Sequence, residues 1–184
     1  MKVVIDTGVF VSAALSIAAR NATPSRELVE AALTGERYEV VTSEMMLLEL
    51  ADVLSRPRIG LVAEFAAAFI ERIASVATIV VIRGLAMGCR DPRDDKVLET
   101  ALNANVDFIV ARDRDLHEPR SRYSIEKVGP GIRDRPIRVV SVNAFIEALR
   151  GPDFSAFVTA SVAETGRRDE RRSRRRAIGV HGTR

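Results

Sequence analysis

Tryptophan is absent, cysteine occurs once, histidine twice, and aromatic residues fill only 5% of the 184 positions. A single cysteine, Cys89, excludes an intrachain disulfide and any cysteine-cluster zinc site, and it fits a reducing compartment. With only His117 and His181, a two-histidine ribonuclease mechanism and a histidine-rich zinc centre both lack their parts. Long hydrophobic runs are missing as well. None approaches the roughly 18 residues that span a bilayer, and the N-terminus has no basic-then-apolar secretory layout, so the expectation is a cytoplasmic protein with no membrane segment. No G-x-S-x-G or G-x-x-x-x-G-K-[ST] occurs, which leaves a serine-hydrolase elbow and a P-loop without support.

What is present is aliphatic: 47% of residues are hydrophobic, enough for one domain with a full core. The formal charge of +3 is unevenly spread. Residues 151 to 184 hold eight of the 28 cationic residues and four of the 25 acids, so they are net basic, while residues 1 to 150 are close to neutral. The stretch GRRDERRSRRR, 166 to 176, has almost nothing to bury against the entropy of ordering. The expected organisation is a domain over 1–150 and a basic, mostly disordered tail over 151–184. Arg167, Arg168, Arg171 and Arg172 could meet RNA phosphates there, or could simply be solvated charge.

Within 1–150, short β-branched apolar runs alternate with helix-like stretches. KVVID (2–6), YEVVT (38–42), TIVVI (78–82), DFIVA (107–111) and IRVVS (137–141) read as strands buried on both faces. Apolar residues at helical spacing mark 23–34, 43–55, 61–76, 94–104 and 142–149. Such alternation implies α/β architecture with a parallel sheet covered on both faces. Residues 117–135 form the only long irregular segment this reading finds.

In such sheets ligands bind beyond the carboxyl ends of strands, and Asp6 stands at one. Asp6-Thr7-Gly8 is also the aspartic-protease triplet, but that chemistry needs two carboxylates sharing a proton on β-rich scaffolding. Here the triplet occurs once and leads toward a helix. Asp113 follows the strand DFIVA much as Asp6 closes the first. A third cluster, Asp91, Asp94 and Asp95, opens a helix; capping explains Asp91 before Pro92, and the helix dipole explains Asp94, but neither requires Asp95. Glu49 borders the apolar stripe of its helix, where it could equally be an exposed flank residue. Glu44 reads as a dipole partner. Four carboxylates converging at about 4 Å would repel by about 4 kcal/mol per pair at an effective dielectric near 20, so a cation is what would make the set tolerable. Oxygen ligands alone select Mg²⁺ or Mn²⁺, and such an ion supports phosphodiester hydrolysis.

The segments VVIDTGVFVSAAL, TSEMMLLELADVLSRPRI, CRDPRDDKVLETALNANVDFIVARDRDL and IRVVSVNAFIEAL, in that order, resemble the PIN-domain nucleases, and among them the VapC-like toxins of type II toxin–antitoxin systems. The resemblance implies a three-layer α/β/α fold with a central parallel sheet of four to five strands. It implies Asp6, Glu49, Asp95 and Asp113 as the catalytic acids, with Asp6, Asp95 and Asp113 on the metal and Glu49 completing the shell or positioning water. Asp91 and Asp115 would be supporting acids, and Thr7 would order the first turn. Arg112 and Arg114, flanking Asp113, join the tail arginines as candidate RNA contacts. The implied activity is a Mg²⁺- or Mn²⁺-dependent endoribonuclease acting on RNA, commonly a homodimer and blocked by a cognate antitoxin. This chain departs from the family in having Gly8 where Asn is common, and in the 117–135 insertion and arginine tail. Two other readings stand beside it: a catalytically weak PIN-like module that binds RNA or protein, and an RNA-maturation nuclease without an antitoxin.

Overall fold

The computed structural model describes residues 1–112, 116, 137–151 and 154. Five parallel strands, β1 (Lys2–Ile5), β2 (Glu39–Ser43), β3 (Thr78–Val80), β4 (Phe108–Val110) and β5 (Arg138–Val140), form one sheet in the order 3-2-1-4-5. The winding direction reverses at β1. Its residues Val3 and Val4 pair with Val40 and Val41 on one side and with Phe108 and Ile109 on the other. The six helices among the described residues are α1 (Thr7–Ala18), α2 (Pro24–Thr34), α3 (Glu44–Leu54), α4 (Ala63–Val76), α5 (Asp95–Asn103) and α6 (Val142–Arg150). The expected three-layer α/β/α arrangement is what the chain adopts.

The two faces of the sheet are covered unequally. Val3, Ile5, Val40, Phe108 and Val110 point to one side, where helices α1 to α4 and α6 pack Phe10, Leu28, Leu50, Phe69 and Phe145 against them. Val4, Val41 and Ile109 point to the other side, which α5 covers with Val97, Leu98 and Ala101, helped by Met46, Met87 and Leu116. Each of the fully buried side chains among these contributes about 1.5 to 3 kcal/mol of transfer free energy, so the sheet centre anchors the domain. Beyond the expected domain boundary at 150, Phe154 sets its ring edge-on to Phe145, with centroids 6.0 Å apart, and lies under the Arg37 guanidinium.

Two expectations need correction. β3 is not buried on both faces: it is an edge strand, it ends at Val80, and Ile79 and Val81 are 51% and 87% exposed because none of the described residues packs over that edge. The segment Val81–Asp91 is a second long irregular stretch, which an apolar-run reading took partly as strand. It is held by chemistry that periodicity does not show, described below. Among the described residues no helix is long and apolar enough to cross a membrane. The 117–135 insertion and all tail residues other than Gly151 and Phe154 lie outside the described residues.

Candidate functional site

At the carboxyl end of β1 the Asp6 N–H donates to the Val110 carbonyl at 2.9 Å, extending the β1–β4 ladder by one bond. The next residue begins α1, with Asp6 as its N-cap: Oδ2 accepts the Gly8 N–H at 3.2 Å. An aspartate there satisfies one of the orphan first-turn amides and complements the helix dipole. Gly8 permits this closeness, since a Cβ at that position would lie 3.1 Å from Asp6 Oδ2. The carboxylate is thereby fixed at the mouth of a cleft of about 640 Å³, lined by Asp6, Thr7, Glu49, Asp91, Asp94 and Arg112 among others.

Glu49 reaches this cleft from the flank of α3. The buried Thr7 hydroxyl donates to its Oε2 at 2.6 Å, and the Lys96 ammonium pairs with its Oε1 at 2.9 Å. Lys96, whose side chain is 13% exposed, also donates to the Arg93 carbonyl. One carboxylate thus ties together α1, α3 and the entry to α5. The same junction is held from inside by Thr100, whose hydroxyl donates to Ser43 Oγ at 2.9 Å. That contact explains why Ser43, the N-cap of α3, makes no side-chain cap bond of its own.

The acids at the head of α5 divide their roles. Asp91 caps a short 3₁₀ turn, Pro92–Asp94, accepting the Arg93 N–H at 2.9 Å and the Arg93 guanidinium at 2.7 to 3.2 Å. The hydrogen bond from the Arg93 guanidinium, then that from its amide, holds the Asp91 carboxyl below the usual range. Whatever stability this pair contributes is present above the ordinary aspartate pKa and lost as the pH falls through the lowered value. Asp94 lines the cleft. Asp95 does not; it is 9% exposed and its Oδ1 accepts the Cys89 N–H at 2.9 Å. Asp6, Thr7, Glu49, Asp91 and Arg112 therefore share one cleft, while Asp95 sits behind its wall. Asp113, Arg114, Asp115, Arg167, Arg168, Arg171 and Arg172 lie outside the described residues. Among the described residues no group of three His, Cys, Asp or Glu side chains is close enough to hold a metal ion.

Burial, then a hydrogen bond to Asp95, then the negative charge of Asp95 and Asp94, push the Cys89 thiol up to about 12. At pH 8 roughly one thiol in ten thousand is then ionised, against about one in four for a free cysteine. Alkylation of Cys89 by iodoacetamide, followed by mass spectrometry, is expected to run about a thousandfold slower than that of free cysteine. A rate equal to the free amino acid would mean that neither burial nor Asp95 restrains the thiol.

Two residues that the sequence reading passed over build this site. Glu99, 2% exposed on α5, accepts the backbone N–H groups of Arg83 (2.7 Å), Gly84 (2.9 Å) and Leu85 (2.9 Å). Gly84, at φ +74°, is the residue that can turn those amides toward one carboxylate. This clamp holds the Val81–Asp91 segment, which delivers Asp91 to the cleft. Lys96 is the other. The signal for Glu99 was its spacing from Asp95 by one helical turn within an otherwise apolar run; Lys96 gave none.

A comparison with curated proteins gives no match. The sequence model of the PIN domain matches residues 2–115, more than half of the chain and the whole span from β1 through β4. The sheet order, the acid-lined cleft and that match agree on a nuclease-type fold, and the chain belongs to the PIN-domain family.

Proposed function

We propose that this PIN-domain protein is a Mg²⁺- or Mn²⁺-dependent endoribonuclease that hydrolyses RNA phosphodiester bonds. We further propose that it is the VapC-like toxin of a type II pair, a homodimer inhibited by a cognate antitoxin. The observation that carries the hydrolytic reading is the cleft at the end of β1, where Asp6, Glu49, Asp91 and Asp94 come from three separate parts of the chain to one surface. The toxin assignment rests on the resemblance of the sequence motifs.

The donor set fits a hard divalent cation by chemistry: the cleft offers carboxylate oxygens and hydroxyls, with no histidine or cysteine among the described residues that line it. Asp6, with Asp113 and an acid from the head of α5, would hold the ion. When bound, it would supply Lewis-acid stabilisation of phosphate charge and an activated water. The chain's own groups prepare for this. Thr7 and Lys96 fix the two oxygens of Glu49 so that it can orient water, and Arg112, which also lines the cleft, could meet a phosphate oxygen.

A second reading, a PIN-like module that binds RNA or a partner without cutting, is favoured by Gly8, which has no side-chain amide at that position. Metal titration of the full chain separates the two. At a hundredfold excess over its dissociation constant a bound ion adds about 2.7 kcal/mol, a rise of roughly 5 to 10 °C in melting temperature. That rise, accompanied by metal-dependent cleavage of RNA, is expected. An unchanged melting temperature at millimolar Mg²⁺ and Mn²⁺ would favour the binding module.

A further inference from the structure

Beside the acidic cleft lies a second hollow of about 420 Å³ with a different chemistry. Its wall is formed by Ser12 of α1, Thr23 and Ser25 at the start of α2, Arg112 after β4, and Ser141 and Asn143 at the start of α6. No carboxylate lines it among the described residues. Ser12 and Arg112 belong to both hollows, so the two adjoin at that pair.

The first turns of two helices, 11 and 9 residues long, open on this space. Thr23 and Ser141 are committed as caps, accepting the Arg26 and Ala144 N–H groups at 3.3 and 3.2 Å, and Thr23 also donates to Ser16. The other first-turn amides have no partner within their helices. Ser25 is the independent sign of a ligand. It is 6% exposed and makes no side-chain hydrogen bond among the described residues. No fully sealed side-chain polar atom is left unpaired among them, so the Ser25 hydroxyl must open on the hollow it lines. A nearly buried hydroxyl that faces the hollow without a protein partner has only water or a ligand to bond there.

We propose that this hollow is a phosphate subsite, taking the RNA backbone phosphate next to the one that enters the acidic cleft. Helix N-termini, a serine hydroxyl and an exposed guanidinium are the donors that hold an oxyanion, and the lack of acids among its described lining residues separates this hollow from the acidic cleft. Arg112 stands between the two phosphates and can reach either. The subsite deepens the nuclease reading and rests on it for the identity of its ligand as RNA.

The test uses the full chain in EDTA, so that binding is read without cleavage, and compares wild type with Ser25→Asp, Ser25→Ala and Asp6→Asn. An aspartate in the first turn of α2 suits that helix end but repels a phosphate. By fluorescence anisotropy with a labelled single-stranded oligoribonucleotide, Ser25→Asp is expected to bind about tenfold more weakly. Its salt dependence should flatten by the contribution of one phosphate, about 0.7 in log–log slope. Ser25→Ala should lose a few-fold, which guards against misfolding of the charged variant, and Asp6→Asn should bind no more weakly than wild type. If Ser25→Asp binds with the wild-type affinity and salt slope, the subsite is wrong, even where Asp6→Asn abolishes cleavage. If wild type binds no RNA, inorganic phosphate serves as the probe. A rise in melting temperature with phosphate that Ser25→Asp lacks upholds the subsite and removes the nuclease reading, whereas no rise in wild type overturns the subsite.

Discussion

Asp6→Asn is expected to lower RNA cleavage in the presence of Mg²⁺ by more than about a hundredfold, because even the outer partners of a metal site are worth roughly 10- to 100-fold. Asparagine is the informative replacement. It retains an oxygen that can accept the Gly8 N–H, as Asp6 Oδ2 does at 3.2 Å, and asparagine caps helices as well as aspartate does. Its melting temperature should therefore stay within a few degrees of wild type, since a cap lost altogether costs only about 1 kcal/mol. Asp6→Ala loses both cap and charge, so it should show the same collapse of rate together with that small destabilisation. Asp94→Asn and Asp95→Asn, measured alongside, decide which acid of the α5 entry joins Asp6. Geometry favours Asp94, which lines the cleft, over Asp95, whose carboxylate already holds Cys89. Wild-type rates for Asp6→Asn at saturating metal would end the hydrolytic reading.

Glu99→Ala is expected to be the most destabilising single change near the site, lowering stability by about 3 kcal/mol. Three backbone hydrogen bonds to a charged acceptor are lost at once, and each such bond is worth roughly 1 to 3 kcal/mol before water replaces part of it. Water replacement is substantial here, because Arg83, Gly84 and Leu85 are themselves exposed. The drop corresponds to roughly 6 to 12 °C in a domain of this size. Glu99→Gln should fall between, since an amide offers one oxygen and turns a donor toward amides that need an acceptor. Activity should fall with both variants even where they remain folded, because the segment they release carries Asp91. Thermal denaturation with hydrogen exchange at residues 83–85 reads the effect. Unchanged protection there in Glu99→Ala would mean that the segment holds itself.

The sheet was legible in the sequence because its strands are runs of valine and isoleucine flanked by polar residues, and KVVI, EVVTS, FIV and RVV fall within one or two positions of their expected limits. β3 was overextended, since an apolar run at a sheet edge looks the same as one in the middle until its neighbours are known. The place of Asp6 was legible for a topological reason: an acid that ends an apolar strand run stands at the carboxyl edge of the sheet, where the structure has it capping α1 beside the cleft. Asp94 and Asp95 were harder. Consecutive residues at a helix entry point about 100° apart, so a shift of one position in where α5 begins exchanges the cleft-facing acid for the buried one. Glu99 was hidden because its partners are backbone amides in an unpatterned stretch, and a side chain that bonds main chain leaves no complementary residue to find. The Ser25 hollow is made by two helix starts more than a hundred positions apart, which no local pattern joins.

The sheet order also fixes when the cleft can assemble during synthesis of the chain. β1 leaves the ribosome first but must wait for β4, whose Phe108 aligns with Val3, before its second edge is filled. The wall bearing Asp91, Asp94 and Arg112 arrives only with that late half of the chain. A nascent polypeptide extended no further than α4 owns Asp6 and Glu49 yet lacks that wall, so, under the proposed function, it would leave intact the message and ribosome producing it.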